Sequence, residues 1–140
     1  MTEAELLQLM QIQEVIAVEK TLKILICDDS LLLRKKLSKD LVKCNCEVLE
    51  AKDGKEAVMM FLKNRPDGVF MDIVMPEVGG LEALQAIKEI DKDSYVVMLS
   101  SAGSSTKLVE SLKLGAADFI QKPYEVEQIK KVLDVLRKKG

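Results

Sequence analysis

From residue 22 onward the hydrophobic positions of the chain alternate between two patterns. Short unbroken apolar runs give way to longer stretches in which apolar residues recur every three or four positions. The first pattern predicts strands at 22–27, 46–50, 69–72, 95–99 and 118–120. The second predicts helices over 31–43, 55–64, 81–90, up to Leu114, and over 125–138. Leu33, Leu37 and Leu41 form the apolar stripe of the first of these helices. Ala57, Met60 and Phe61 form that of the second, and Leu84 and Ile87 that of the third. Val126, Ile129, Leu133 and Leu136 form that of the last. The breaks carry chain-turning residues. Ser30 precedes the first helix as a cap, Asp53-Gly54 reads as a turn, and the 65–68 stretch Arg-Pro-Asp-Gly stops the second helix. Gly79-Gly80 opens the third, Ser104 or Ser105 caps the fourth, and Gly115 ends it. Glu47 and Glu50 suit an edge strand.

Strand and helix alternate five times with short connections, which predicts an α/β fold: a parallel sheet with helices on both faces. Unbroken apolar strands are those buried on both sides. Residues 2–19 lie outside this pattern. They lack proline and glycine and read as a helix, but Leu6, Leu9, Met10 and Ile16 fall on one side and Leu7, Val15 and Val18 on nearly the other. A surface helix carries one stripe. Either this helix lies between two surfaces, packed on its own domain or on a partner, or its 15–18 end is extended. A partner contact is the favoured expectation. The chain divides into an extension, 1–21, and a domain, 22–140.

Composition changes this picture little. A 140-residue chain that is 48% hydrophobic and 31% charged suits one globular domain. A net charge of -2 gives no general attraction to nucleic acid or an anionic membrane. The sequence shows no bilayer-length apolar run and no signal peptide, so the expected place is the cytoplasm. Three cysteines, Cys27, Cys44 and Cys46, make no disulfide framework. The chain has no histidine, which removes Ser-His-Asp and Cys-His catalysis.

The candidate chemistry lies where the strands end. In a parallel sheet all carboxyl ends share one edge, and that is where open α/β sheets bind ligands. Asp28-Asp29 follow the first strand, Asp72 ends the third, Ser100 follows the fourth, and Lys122-Pro123 follow the fifth. Each has a plain structural role open to it: a helix cap, a loop hydroxyl, a solvated lysine. Asp72 alone reads equally well as a turn cap and as a functional carboxylate. Together they would place three carboxylates, a hydroxyl and an ammonium on one edge. Three clustered carboxylates stay ionised only beside cations, and an oxygen-only ligand set suits Mg²⁺. An ionised carboxylate there could attack an activated phosphoryl group.

These motifs, with the 72–76 stretch Asp-Ile-Val-Met-Pro and the 119–123 stretch Phe-Ile-Gln-Lys-Pro, make the sequence similar to the receiver domains of two-component response regulators, of the chemotaxis CheY kind. The resemblance covers 22–139. It implies a doubly wound, flavodoxin-like (βα)5 fold with sheet order 2-1-3-4-5. It implies that Asp72 accepts a phosphoryl group from a histidine kinase or phosphotransfer protein. Asp29, Asp72 and the carbonyl of Val74 would hold Mg²⁺, with Asp28 acting through water. Lys122 would pair with the phosphoryl group, and the bond before Pro123 would be cis. Ser100 and Phe119 would couple phosphorylation to a surface that binds a downstream target. The expected activity is that of a self-phosphorylating receiver with at most weak autophosphatase action, working as a stand-alone protein.

Where the chain departs from the family pattern, further expectations follow. Glu77-Val78-Gly79-Gly80 replaces the usual loop sequence, so Gly79 would loosen the loop beside the site. Val74 and Ala102 lack side chains able to orient a hydrolytic water, so the phosphoryl group would be lost slowly. Leu31 and Leu32 suit either kinase docking on the first helix or core packing. The alternatives are a pseudo-receiver acting as an interaction or dimerisation module, a haloacid-dehalogenase-like phosphotransferase, and a flavodoxin-like cofactor binder. The second lacks its general acid, since Val74 stands in that place. The third lacks a glycine-rich loop and flavin-stacking aromatics. A homodimer through the N-terminal helix is the remaining partner expectation.

Overall fold

A computed structural model of the chain describes residues 1–101 and 105–139, and for 13–19 the backbone alone. Helix α1 (Glu3–Glu19) precedes five strand–helix units. These are β1 (Leu22–Cys27) with α2 (Leu31–Lys43), β2 (Cys46–Ala51) with α3 (Gly54–Asn64), β3 (Gly68–Asp72) with α4 (Gly80–Ile90), β4 (Val96–Ser100) with α5 (Ser105–Lys113), and β5 (Asp118–Gln121) with α6 (Val126–Lys139). The strands form one parallel sheet in the order β2-β1-β3-β4-β5, as the resemblance implies. β2 is an edge strand, where Glu47 and Glu50 were expected.

The sheet separates two apolar layers. Ile24, Ile26, Phe70, Val97 and Leu99 point to one face and meet Leu37 and Leu41 of α2 and Ile129 and Leu133 of α6. Leu25, Cys27, Met71, Val96 and Met98 point to the other and meet Phe61 of α3 and Leu84 and Ile87 of α4. Both faces of the three inner strands are therefore dry, which is why those strands read as unbroken apolar runs. Burying one such side chain contributes about 1.5–3 kcal/mol.

The connections differ from the expectation in detail. Asp53 is a helix cap rather than part of a turn: its carboxylate accepts from the Glu56 amide at 2.8 Å, and Gly54 is the first residue of α3. Gly54 lies against Val78, and a Cβ there would meet the Val78 carbonyl oxygen at 2.4 Å. Ser30 caps α2 as expected, accepting from Leu33 at 3.3 Å. Ser105 is the first helical residue of α5, while Ser104 lies outside the described residues. Gly115 follows α5 with φ of +105°, the conformation that lets a glycine end a helix. Leu33 and Val126, expected to face inward, are exposed. Each lies in the first turn of its helix.

On α1, Leu6, Leu7, Leu9, Met10 and Ile12 are all about half exposed. Packing of this part of the helix on its own domain is thus not observed, while the two-sided placing of Val15, Ile16 and Val18 lies outside the described side chains. The helical assignment to Glu19 shows that the 15–18 end is not extended. No helix among the described residues is long and apolar enough to cross a membrane. Cys27, Cys44 and Cys46 are free thiols.

Candidate functional site

Four of the five strands, β1, β3, β4 and β5, carry a predicted site residue at or just past the carboxyl end. β1 stops at Cys27, and the chain turns with Asp28 buried at 2% exposure while Asp29 faces solvent. Three contacts fix Asp28. Its amide donates to the Ala51 carbonyl at 3.2 Å, its Oδ1 accepts from the Ser30 amide at 2.9 Å, and its carbonyl accepts from Arg34 Nη1 at 2.6 Å. Arg34 is held in turn by Glu50, with Nε 3.4 Å from Oε1. Asp72 is the last residue of β3 and is 6% exposed. Oxygens of Asp28, Asp29 and Asp72 all lie within 4.8 Å of one another.

Lys122, just past β5, is the cation that answers this cluster. Its Nζ is 2.8 Å from Asp28 Oδ2 and 3.1 Å from Asp72 Oδ2. Its backbone amide donates to the Ser100 carbonyl at 2.7 Å, which fastens the loop to the end of β4. Burial raises the Asp72 carboxyl above the ordinary aspartate range; Lys122 pulls it back, and Asp28 adds to the rise. Burial acts against the Lys122 ammonium, but its bond to Asp28 and the charges of Asp72 and Asp28 outweigh that, and it titrates above an ordinary lysine. The Cys27 thiol behind the cluster is raised by burial first and then by Asp53, Asp28 and Asp72. It is a small core residue and no nucleophile.

Ser100 ends β4 and is buried, and Phe119 in β5 is exposed. Phe119 is in register with Met98, two residues before Ser100, so Phe119 and Ser100 share one face of the sheet. Val74 is also exposed, with only an isopropyl group facing solvent beside Asp72. Ala102 lies outside the described residues. The Lys122-Pro123 bond is cis. Leu31 and Leu32 are exposed beside the acidic pair, Leu32 at 81%.

The acidic cluster fits Mg²⁺. Three carboxylates converge on one small volume with oxygen donors only, and one ammonium is too little charge to balance them. The loop after β3 is shaped around Asp72. Gly80 lies so close that a Cβ there would sit 2.0 Å from the Asp72 carbonyl oxygen, and Glu77 takes a left-handed φ of 58°. Gly79 is different. It caps α4 with no side-chain bond and an ordinary φ of −77°, and a Cβ there would find its nearest neighbour at 3.7 Å.

Sequence reasoning missed the contacts that brace the site from α2. The Tyr124 hydroxyl donates to Asp40 Oδ2 at 2.6 Å, and Lys36 Nζ lies 4.8 Å from the centre of the Tyr124 ring. The partners are 84 positions apart in the chain, and no periodicity or local motif links them. The Arg34 grip on the Asp28 carbonyl was equally invisible, because it depends on how α2 leaves its cap.

Residues 24–134 match the family described as the response regulator receiver domain. The chemotaxis protein CheY of Bacillus subtilis is 39% identical over 108 residues, which are 76% of this chain and 90% of that protein. A response regulator receiver domain protein from Clostridium thermocellum superposes with a TM-score of 0.81 at 26% identity, covering 84% of this chain and 95% of the other. The CheX–CheY–BeF3–Mg²⁺ complex from Borrelia burgdorferi gives a TM-score of 0.75 at 32% identity, covering 81% and 88%. A family match across most of the chain, carried on a sheet of the same strand order, makes this protein a member of the response regulator receiver domain family.

Proposed function

We propose that Asp72 is the phosphoacceptor in the Mg²⁺-dependent aspartate phosphorylation by which this receiver domain signals. The observation that carries the assignment is the place of Asp72: last residue of the central β3, buried, with the Lys122 ammonium at 3.1 Å. One carboxylate oxygen of Asp72 forms the new bond to phosphorus. The bond from phosphorus to the donor, a histidine nitrogen of a kinase or phosphotransfer protein, breaks and keeps its electron pair on the donor. Asp28, Asp29, Asp72 and the Val74 carbonyl would hold the metal, which offsets negative charge on the carboxylates and the phosphoryl oxygens. Lys122 binds one phosphoryl oxygen, exchanging its contact with Asp72 for one with the new group. The Ser100 hydroxyl binds another.

The switch follows from that last contact. Ser100 and Phe119 share a sheet face, and Phe119 is exposed. Movement of Ser100 toward a phosphoryl group would open space on that face and favour an inward Phe119. This is a two-state equilibrium biased by phosphate contacts. Its output is a changed surface at β5 for a downstream target protein. In this reading 22–140 is the receiver unit, and 1–21 is an extension whose helix supplies a homodimer contact through Leu6, Leu7, Leu9, Met10 and Ile12. Support for Mg²⁺ and phosphoryl binding also comes from the Borrelia CheY, held with BeF3 and Mg²⁺ in its complex.

The test is incubation with Mg²⁺ and acetyl phosphate, followed by intact mass. Wild type gains one phosphoryl group, and Asp72→Asn gains none. An unmodified wild type that also fails to bind beryllofluoride would make the chain a pseudo-receiver whose interface is its function.

A further inference from the structure

We propose that Tyr124 is a positioning residue for the phosphorylation chemistry: its hydroxyl bond to Asp40 ties the loop carrying Lys122 to α2 and so fixes the Lys122 ammonium over the acidic cluster. The inference rests on the role given to Lys122 above.

Residues 122–125 join β5 to α6. The loop has an anchor at each end. At its start the Lys122 amide donates to the Ser100 carbonyl, and at its close the Glu125 amide donates to Gln128 Oε1 at 2.8 Å. Between these anchors close packing fails. A cavity of about 40 Å³ lies between the loop and the first turns of α2, lined by Asp28, Lys122, Leu33, Lys36 and Tyr124 among others. Beside this gap, the Tyr124 hydroxyl makes the hydrogen bond that joins the loop to α2.

The grip on Tyr124 is specific. Asp40 and Lys36 are one helical turn apart and so lie on the same face of α2. Asp40 accepts the hydroxyl at 2.6 Å, and Lys36 places its ammonium 4.8 Å from the ring centre. α2 is a firm base for this, because Leu37 and Leu41 on its inner side are fully packed in the core. A reacting group is best held by a rigid element acting through a side chain that is itself fixed. Tyr124, buried and bonded, meets that description, and it stands two residues from Lys122.

The role has a signature that fold stability alone lacks. Lys122 competes with a divalent cation for Asp28 and Asp72, but it assists a phosphoryl group. Loosening Lys122 should therefore weaken binding of a phosphoryl mimic without weakening binding of Mg²⁺ alone. Calorimetric titration with Mg²⁺, and then with beryllofluoride in saturating Mg²⁺, reads both. Tyr124→Phe and Asp40→Ala should each weaken beryllofluoride binding about fivefold, the size of one ordinary hydrogen bond. The double variant should be no worse than either single one, since both remove the same bond. Asp40→Asn, which keeps an accepting oxygen, should stay near wild type. Mg²⁺ affinity should not fall in any of them.

If wild type binds beryllofluoride and Tyr124→Phe binds it equally well, the positioning role is wrong while the site stands. Parallel losses of Mg²⁺ and beryllofluoride affinity would also reject it, as a merely structural tyrosine gives that result. Should Tyr124→Phe fail to fold, Asp40→Ala removes the same bond from the α2 side and leaves the ring in place, and an unchanged beryllofluoride affinity there rejects the role. A wild type that binds no beryllofluoride overturns the site assignment and this inference together.

Discussion

The Lys122 ammonium lies 2.8 Å from the Asp28 carboxylate, across 94 positions of sequence, and so closes the acidic edge of the sheet from its far end. The same nitrogen serves Asp72. One side chain thus stands between two buried carboxylates that would otherwise repel at low dielectric.

Removing it should destabilise the protein in a metal-dependent way. Lys122→Ala leaves buried carboxylates without their cation, which costs about 3–5 kcal/mol when one partner of a buried pair is lost. Mg²⁺ supplies charge at the same place and stabilises by binding the native state only. Urea unfolding without divalent ions should show the full loss, and saturating Mg²⁺ should recover most of it. Equal stabilisation of wild type and variant by Mg²⁺ would mean that Lys122 and the ion do not share ligands.

The two adjacent glycines before α4 should respond in opposite directions. Gly80→Ala forces a Cβ to within 2.0 Å of the Asp72 carbonyl oxygen, with backbone on both sides of the clash. It should cost more than about 3 kcal/mol, as overpacking at backbone does, and should disturb Asp72 directly. Gly79→Asn meets no such neighbour and adds the missing cap to α4. It should stabilise by about 0.5–1 kcal/mol, from capping and from a stiffer unfolded chain. Thermal unfolding of the two variants checks both signs. A destabilised Gly79→Asn would show that the open loop depends on having no side chain there.

Val74 presents hydrocarbon where a hydrolytic water would approach Asp72. Val74→Gln places an amide at this exposed position, able to hold that water. Positioning of this kind should shorten the phosphoryl lifetime about tenfold. The decay of the phosphorylated mass after removal of acetyl phosphate measures it. An unchanged lifetime in Val74→Gln would move control of hydrolysis elsewhere in the loop.

Much of this is legible in the sequence. Unbroken runs such as 22–27 and 95–99 marked strands buried on both faces. That burial forced the charged residues to the strand ends, where Asp28, Asp72 and Lys122 do converge. Local signals also held where one bond decides the conformation, as at the Ser30 cap. They failed where a residue has two local uses. Asp53-Gly54 has turn chemistry, yet the Asp53 side chain caps α3 and Gly54 is set by the Val78 backbone from a distant loop. Leu33 keeps its place in the helical period but sits in the exposed first turn of α2. Tyr124 and Asp40 carry no mutual signal at all, since their meeting follows only from the packing of α2 beside the β5–α6 loop.

The Tyr124–Asp40 bond should also be visible in alkaline stability. Burial raises the Tyr124 phenol above the ordinary tyrosine value of 10.0, and the bond to Asp40 and the charge of Asp40 raise it further. Between the unfolded and folded values the native state keeps a proton that the unfolded chain releases. Stability must then fall as pH rises through that window. Below pH 10 the contribution is fully present, and wild type should exceed Tyr124→Phe by about 1 kcal/mol, the net worth of one such bond. Above pH 10 the gap should narrow steadily. The other ionisable side chains are common to both proteins, so the difference between them isolates the phenol. Urea unfolding at pH 8 and pH 11 measures it. A gap near zero at pH 8 would mean that Tyr124 holds its place by its ring alone and that the hydroxyl contributes nothing to the brace on Lys122, and a constant non-zero gap would mean that the phenol is not raised on folding.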